Sequence, residues 1–282
     1  MTRIVYLNGE FVPFEQAKIP IMDRGFLFGD GIYEVTAVFD GKLLDNIPHL
    51  ARLERSLKEI AIANPLSDAD WTGLQTELVR RNNLADGVIY IEVTRGVYER
   101  DFVCPEGIPP TVVMFTQAKE LRDPESARAG VAVVTVPELR WKRRDIKSVS
   151  LLAQVLAKRA AARAGVAEAW MIEDDQVTEG ASSTAFIVTK DRRIVTRPLS
   201  TAVLPGITRG AVLRLLERHA LHLDERPFTV AEAMGATEAF LTSASSLVTP
   251  VVKIDGRPVG DGKPGPLTRE LRQLYLKMAA AA

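Results

Sequence analysis

The chain has 282 residues, with 36 basic and 36 acidic side chains, a formal net charge of zero and a pI near 6.9. That balance excludes the basic excess of a nucleic-acid-binding or membrane-surface protein, and 46% hydrophobic with 26% charged residues is the composition of a globular chain of one large or two domains. A single cysteine, Cys104, and three histidines, His49, His219 and His222, exclude a disulfide framework and a multi-cysteine zinc site and argue against a histidine-built metal centre.

The first residues carry no basic-then-apolar leader and read as a strand running into an Asn8-Gly9 turn. Strands are predicted at 3–7, 32–39, 87–94 and 111–116. Two amphipathic helices lie between them. One starts at His49 and puts Leu50, Leu53, Leu57 and Ile60 on one face; the other opens with the cap-like Ser67-Asp-Ala-Asp70 and runs to Asn83. The polar, aperiodic stretch 117–130 reads as an interdomain connection, which divides the chain into a small domain over 1–118, a linker over 119–130 and a larger domain over 131–282.

The larger domain should begin with a strand at 131–136 and a helix over 150–164 stopped by Gly165. Strands at 169–173, 176–178, 184–189 and 193–197 follow, then helices after Thr208 and from Thr229, strands within 238–256 and a closing helix from Pro266. This mixed order predicts an α+β architecture in two parts. No strand–GxGxxG–helix unit points to a dinucleotide fold, and no apolar run approaches the roughly 18 residues of a membrane span. Neither a nucleic-acid nor a membrane partner is expected, and a reducing cytoplasm is the simplest placement.

Four places carry groups suited to chemistry. Five basic residues fall between Arg140 and Lys147, and Lys147 is the last of them before a helix. A solvated basic edge explains such a run; alternatively, like charges disfavour the ammonium form, and a free amine is what imine chemistry requires. Leu204-Pro-Gly-Ile-Thr208 places Thr208 as a helix N-cap, either as a plain cap or as part of an anion cradle, and the hydroxyl-rich run 242–246 is an ordinary turn or a second wall for the same anion. Glu179 ends a strand before a glycine turn, either facing solvent or pairing with a heteroaromatic nitrogen; Tyr33 follows the Phe28-Gly-Asp-Gly turn as a core aromatic or a site donor. An imine-forming amine, a phosphate cradle, an isolated carboxylate and a tyrosine together match the needs of a phosphorylated pyridine-aldehyde cofactor.

In order along the chain, DRGFLFGDGIYEV (23–35), HLARL (49–53), VTRG (93–96), RWKRRDIKS (140–148), VTEGASSTAF (177–186), LPGITR (204–209) and LTSASSLVTPV (241–251) resemble the fold-type IV pyridoxal-phosphate aminotransferases, most closely the D-amino acid aminotransferase branch. The resemblance covers nearly the whole length. It implies a two-domain fold-type IV enzyme with a small N-terminal α/β domain, a larger C-terminal mixed α/β domain, pyridoxal 5′-phosphate between them, and a homodimer whose partner loop helps close the site. By the same resemblance, Lys147 would hold the cofactor through an imine and then shuttle the substrate α-proton, and Glu179 would pair with the ring nitrogen. Arg52, Ile207 and Thr208 would bind the phosphate, Leu204 would support the ring, and Tyr33, His49 and Arg100 would lie at or near the substrate. The implied reaction is a ping-pong transfer of an amino group from a D-amino acid to a 2-oxo acid such as 2-oxoglutarate or pyruvate, with no metal.

Two positions depart from the branch. Its Arg-x-His substrate pair reads Arg100-Asp-Phe102 here, so one hydrogen-bond donor of the carboxylate trap is replaced by an aromatic ring. A second phosphate-binding threonine falls on Ala244, whose N–H, with Ser243 or Ser245 beside it, would have to serve instead. The alternatives on the same scaffold are a branched-chain L-amino acid aminotransferase, an (R)-selective amine transaminase and a 4-amino-4-deoxychorismate lyase. From another class comes a binding protein that kept the fold and lost catalysis, which the presence of both Lys147 and Glu179 opposes.

Overall fold

A computed structural model describes residues 2–281. They form two compact units, one reaching Glu120 and taking in Ile146–Ser150, the other comprising Leu121–Asp145 and Leu151–Ala281.

The first unit holds β1 (Ile4–Leu7), β2 (Glu10–Pro13), α1 (Arg24–Phe28), β3 (Gly31–Phe39), β4 (Lys42–Leu43), α2 (Asn46–Glu59), α3 (Asp68–Arg81), β5 (Gly87–Thr94) and β6 (Thr111–Ala118). Its six strands make one antiparallel sheet in the order β2-β1-β6-β5-β3-β4. The apolar stripe read from the sequence is what α2 buries: Leu50, Leu53 and Leu57 pack with Trp71 and Leu78 of α3 and with Ile89, Ile91 and Met114 of the sheet. Leu53 is fully buried, so truncating it to alanine removes about 2–5 kcal/mol of stability. Ser67 caps α3 as expected, its hydroxyl accepting from the Asp70 N–H at 3.2 Å.

Helix α1 is not legible as a helix in the sequence. Asp23 caps it by accepting from the Gly25 N–H (2.8 Å), and Gly29, in the left-handed region at φ 66°, ends it after five residues. A helix this short has no periodicity to read, and its residues resemble a glycine-rich turn.

The second unit holds α4 (Glu125–Ala129), β7 (Val131–Pro137), α5 (Leu152–Arg163), β8 (Glu168–Glu173), β9 (Gln176–Gly180), β10 (Thr184–Val188), β11 (Ile194–Thr196), α6 (Ile207–Arg218), β12 (Leu223–Glu225), α7 (Val230–Met234), β13 (Glu238–Ser243), β14 (Leu247–Ile254), β15 (Arg257–Pro258) and α8 (Pro266–Ala281). The strands order as β12-β11-β10-β13-β14-β7-β8-β9, with β15 on β14. The β11–β12, β14–β7 and β7–β8 pairs are parallel and the rest antiparallel. One face of β10 and β13 buries Ala185, Ile187, Ala239 and Leu241 with Trp170 and Phe228. The other carries the cross-strand pair Phe186 and Phe240, stacked at 4.6 Å, and Glu238, which caps α8 by accepting from the Leu267 and Thr268 N–H groups.

Two expected boundaries move. Strand β6 runs to Ala118, and the stretch expected as a linker over 119–130 contains α4 and belongs to the second unit from Leu121. Leu121 is buried and its carbonyl accepts from Arg272 at 2.6 Å, a partner 151 residues away that no local pattern could signal. Residues 146–150, expected in the second domain, pair instead with the start of β3: Ile32 bridges Ser148, Tyr33 N–H donates to the Lys147 carbonyl (2.9 Å) and Val149 N–H donates to Gly31 (3.1 Å).

Candidate active site

In the first unit, Lys147 is fixed through its backbone. Besides the bond from Tyr33, its N–H donates to the Ser56 hydroxyl on α2 at 3.4 Å. The side chain is half-buried, and its Nζ stands 4.2 Å from the centroid of the Tyr33 ring. Tyr33 stacks on Tyr90 at 5.5 Å and Tyr90 on Phe115 at 4.8 Å, a ladder across β3, β5 and β6 that holds the ring beneath the amine. Among the described residues no carboxylate pairs with this ammonium.

Beside it, α2 turns His49, Arg52 and Ser56 to one face, as their helical spacing dictates. The first two meet Glu34, buried on β3. Arg52 makes a two-pronged pair, Nε to Oε1 at 2.7 Å and Nη2 to Oε2 at 2.8 Å, and His49 Nδ1 lies 2.8 Å from Oε2. Burial works to raise the Glu34 carboxyl, but the Arg52 guanidinium and the bonds from Arg52 and His49 outweigh it and hold the acid far below the ordinary carboxylate range. Burial pushes His49 down, and the charges of Arg52 and Lys147 add to this against the pull of Glu34. The imidazole is therefore neutral at pH 7; with an ionised acceptor at Nδ1, the proton sits on Nδ1 and the lone pair on Nε2.

Glu34 escaped the sequence reading, although its period-2 position in β3 puts it on the buried face with Ile32 and Thr36. Arg100 is exposed on the loop after β5, its guanidinium 5.5 Å from the Phe28 ring, and Phe102 packs on that ring at 5.5 Å. Arg24 anchors this loop by donating to the Asp101 and Phe102 carbonyls. Arg100 makes no described contact with the Lys147 group.

In the second unit, the run around Arg140 is not a free basic cluster. Arg140 bridges Glu138 and Glu179, Arg143 pairs with Asp145, and Arg144 pairs with Glu173. Acids within two residues, Glu138 and Asp145, and acids brought in from β8 and β9, Glu173 and Glu179, pair with the arginines that the sequence presented as a positive run. Glu179, buried at the end of β9, also accepts from the Leu204 N–H, at 3.1 Å to Oε1 and 3.3 Å to Oε2. Burial raises this carboxyl above the ordinary value; Arg140 and the Leu204 N–H oppose the rise, and the neighbouring Glu138 adds to it.

Helix α6 begins at Ile207 with Gly206 as its N-cap, so Thr208 is its second residue and not the cap expected from the sequence. A Cβ at Gly206 would stand 2.8 Å from the Thr184 hydroxyl, so a side chain there requires Thr184 to shift. No side chain caps α6, which leaves its first N–H groups available to an anion. Ser243, at the end of β13, shares its hydroxyl with Ser246 (2.7 Å) and Ser245 (3.4 Å), and Ala244 lies in the turn between them. No group of three or more His, Cys, Asp or Glu able to hold a metal occurs among the described residues. No described helix is long and apolar enough to cross a membrane.

Residues 31–254 match the family model for amino-transferase class IV. The chain is a class IV aminotransferase. It is 42% identical over 275 residues to a D-alanine aminotransferase of Staphylococcus aureus (strain MSSA476), spanning 97% of this chain and 96% of the relative. It is 40% identical over 268 residues to a D-alanine aminotransferase of Bacillus licheniformis, spanning 95% and 94%. Its fold superposes on a branched-chain aminotransferase of the thermophilic archaeon Thermoproteus uzoniensis, solved with norvaline, at a TM-score of 0.88, with 25% identity over 100% of this chain and 96% of the other. The Escherichia coli branched-chain enzyme gives 0.91 at 23% identity over 99% and 95%, a likeness of fold alone.

The aminotransferase depends on pyridoxal 5′-phosphate, as its family does. Each unit, taken by itself, holds residues that fit part of that group. An amine without an ion-pair partner suits the aldehyde, a buried carboxylate with one oxygen held only by a 3.3 Å N–H suits a protonated ring nitrogen, and an uncapped helix N-terminus beside a glycine suits the phosphate.

Proposed function

We propose that this aminotransferase moves the amino group of a D-amino acid to a 2-oxo acid, with Lys147 as its catalytic base. The observation that carries the catalytic assignment is the Lys147 amine held over the Tyr33 ring without a carboxylate partner, its backbone pinned to β3 and α2. The preference for D-amino acids is supported by the relatives of 40–42% identity, all named D-alanine aminotransferases, over 94% or more of their lengths.

Pyridoxal phosphate supplies an electrophilic carbonyl and a ring that draws electrons from the substrate α-carbon. The chain would supply the rest. Lys147 takes and returns the α-proton at Nζ. Glu179 accepts from the ring N–H, and Arg140 with the Leu204 N–H fixes the orientation of that carboxylate. Ile207 and Thr208 donate backbone N–H groups to the phosphate, and Arg52, aligned by Glu34, contributes its positive charge. Tyr33 orients the lysine, neutral His49 adds no charge near the substrate, and Arg100 attracts the substrate carboxylate where Phe102 has no donor. We propose also that the enzyme is a cytoplasmic homodimer. The exposed Phe26 and Val103 of the first unit are the apolar surface a second copy would cover.

The test is a half-reaction. The purified, cofactor-loaded protein is mixed separately with D-alanine, L-leucine and an (R)-amine, and its visible absorption is followed. A spectral change with D-alanine alone supports the proposal. A change with L-leucine or the amine alone moves the function to a branched-chain or amine transaminase, and no visible band after added pyridoxal phosphate overturns the cofactor assignment.

A further inference from the structure

Glu138, the residue after β7, holds the arginine on which Glu179 depends, and the whole group lies within the second unit. Its carboxylate takes two prongs of Arg140, Nε to Oε1 at 2.9 Å and Nη2 to Oε2 at 2.6 Å. It also accepts from the Arg140 backbone N–H at 2.9 Å and from the Thr178 hydroxyl at 2.7 Å. Arg144 stands farther off, its Nε 3.8 Å from Oε2, while its two Nη groups are spent on Glu173. Arg140 has one prong left, Nη1, and gives it to Glu179 at 2.5 Å.

Two negative charges and one positive charge are thus buried together. Glu138 is sealed, its side chain 1% exposed, whereas Arg140 and Glu179 keep 7% and 5% open. One guanidinium cannot neutralise both acids. The two-pronged pair has the stronger claim on it, so Glu138 and Arg140 close into a neutral pair and the uncompensated charge falls on Glu179. A buried charge without a full partner is costly, and a donor that carries positive charge and arrives on the open side relieves it. A protonated ring nitrogen is such a donor. Without the charge of Glu138, Arg140 would neutralise Glu179 instead, and that pair would attract a cation only weakly.

We propose that Glu138 is a positioning residue, which occupies the Arg140 guanidinium so that Glu179 keeps its negative charge for the protonated ring nitrogen of the cofactor. The inference rests on the pairing of Glu179 with that nitrogen and adds to it the residue that sets how firmly the nitrogen is held protonated.

The test uses the full chain freed of cofactor and reloaded with pyridoxal 5′-phosphate isotopically labelled at the ring nitrogen, whose magnetic resonance signal reports whether that nitrogen carries a proton. The parent is expected to give the protonated signal at neutral pH. Glu138→Gln keeps the size of the side chain and an acceptor for Arg140 but removes the charge. It is expected to move the signal toward the unprotonated range and to raise the Kd for pyridoxal phosphate about tenfold, the loss expected for a hydrogen bond to a charged group. The Kd for the carbocyclic analogue, in which C–H replaces the ring nitrogen, should stay at its parent value, whereas a merely structural role would weaken both ligands alike. Adding Arg140→Gln to Glu138→Gln removes the competing cation and should return the protonated signal, which further loss of packing could not do. This double variant decides the matter if the single one does not fold. An unmoved signal in Glu138→Gln, equal weakening of the two ligands, or an unprotonated nitrogen in the double variant overturns the proposal. A parent that binds no pyridoxal phosphate overturns the cofactor assignment, and a parent whose bound nitrogen is unprotonated overturns its pairing with Glu179; both outcomes are distinct from a failure at Glu138 alone.

Discussion

Glu34 and Glu179 are both buried carboxylates that face an arginine, and their acidities move in opposite directions. Glu34 in the first unit takes both prongs of Arg52 and a third bond from His49, and its acidity is strengthened despite complete burial. Glu179 in the second unit shares Arg140 with Glu138, gains only the Leu204 N–H besides, and is driven up by burial. Burial sets the cost of the charge in both; the number of donors, and whether another acid competes for them, decides which effect wins. A saturated carboxylate such as Glu34 can align an arginine but has nothing left for a ligand. An under-supplied one such as Glu179 still has an oxygen to offer.

The largest expected effect lies at the amine next to the saturated pair. Lys147→Ala should lower turnover by about a thousandfold or more while leaving the fold intact, as measured by steady-state rates beside circular dichroism. Near-native turnover would remove the lysine from the mechanism. The two carboxylates should then part company on isosteric replacement. Glu34→Gln breaks a complete buried pair and should cost about 3 kcal/mol in urea unfolding. Glu179→Gln should cost less than about 1 kcal/mol, because burial already disfavours its charge, yet slow turnover about a hundredfold. Equal destabilisation by the two would erase the contrast.

Acidity sharpens the comparison. The folded Glu34 value lies below the ordinary 4.5, so its contribution is present above that value and is lost as pH falls toward the folded one. The folded Glu179 value lies above 4.5, so its contribution is present below that value and is lost as pH rises through the folded one. Unfolding measured between about pH 3 and 7 should therefore show the Glu34→Gln deficit growing with pH and the Glu179→Gln deficit shrinking. Slopes of the same sign would contradict the opposed environments. The smallest effect is expected at the exposed loop. Phe102→His restores a donor beside Arg100 and should lower KM for D-alanine about threefold; a higher KM would mean the substrate carboxylate is anchored elsewhere.

The strands and long helices of both units are readable because their signals are local: the stripe of Leu50, Leu53 and Leu57, the Ser67 cap and the Gly165 stop need only neighbouring residues. The identities of Lys147, Glu179 and Thr208 are readable for the same reason, as residue types within motifs. Elements of five residues, such as α1 and α4, bury too little to leave a pattern. What the sequence by itself determined is therefore the order of elements, the family and the chemical groups available. Tertiary contacts were needed to show that 146–150 pairs with β3, that Arg140 and Arg144 of the basic run meet Glu179 and Glu173, and that Glu34 holds Arg52 and His49. Each of these depends on a partner far away in the chain, and the energy of a buried charge is set by that partner and not by its sequence neighbours.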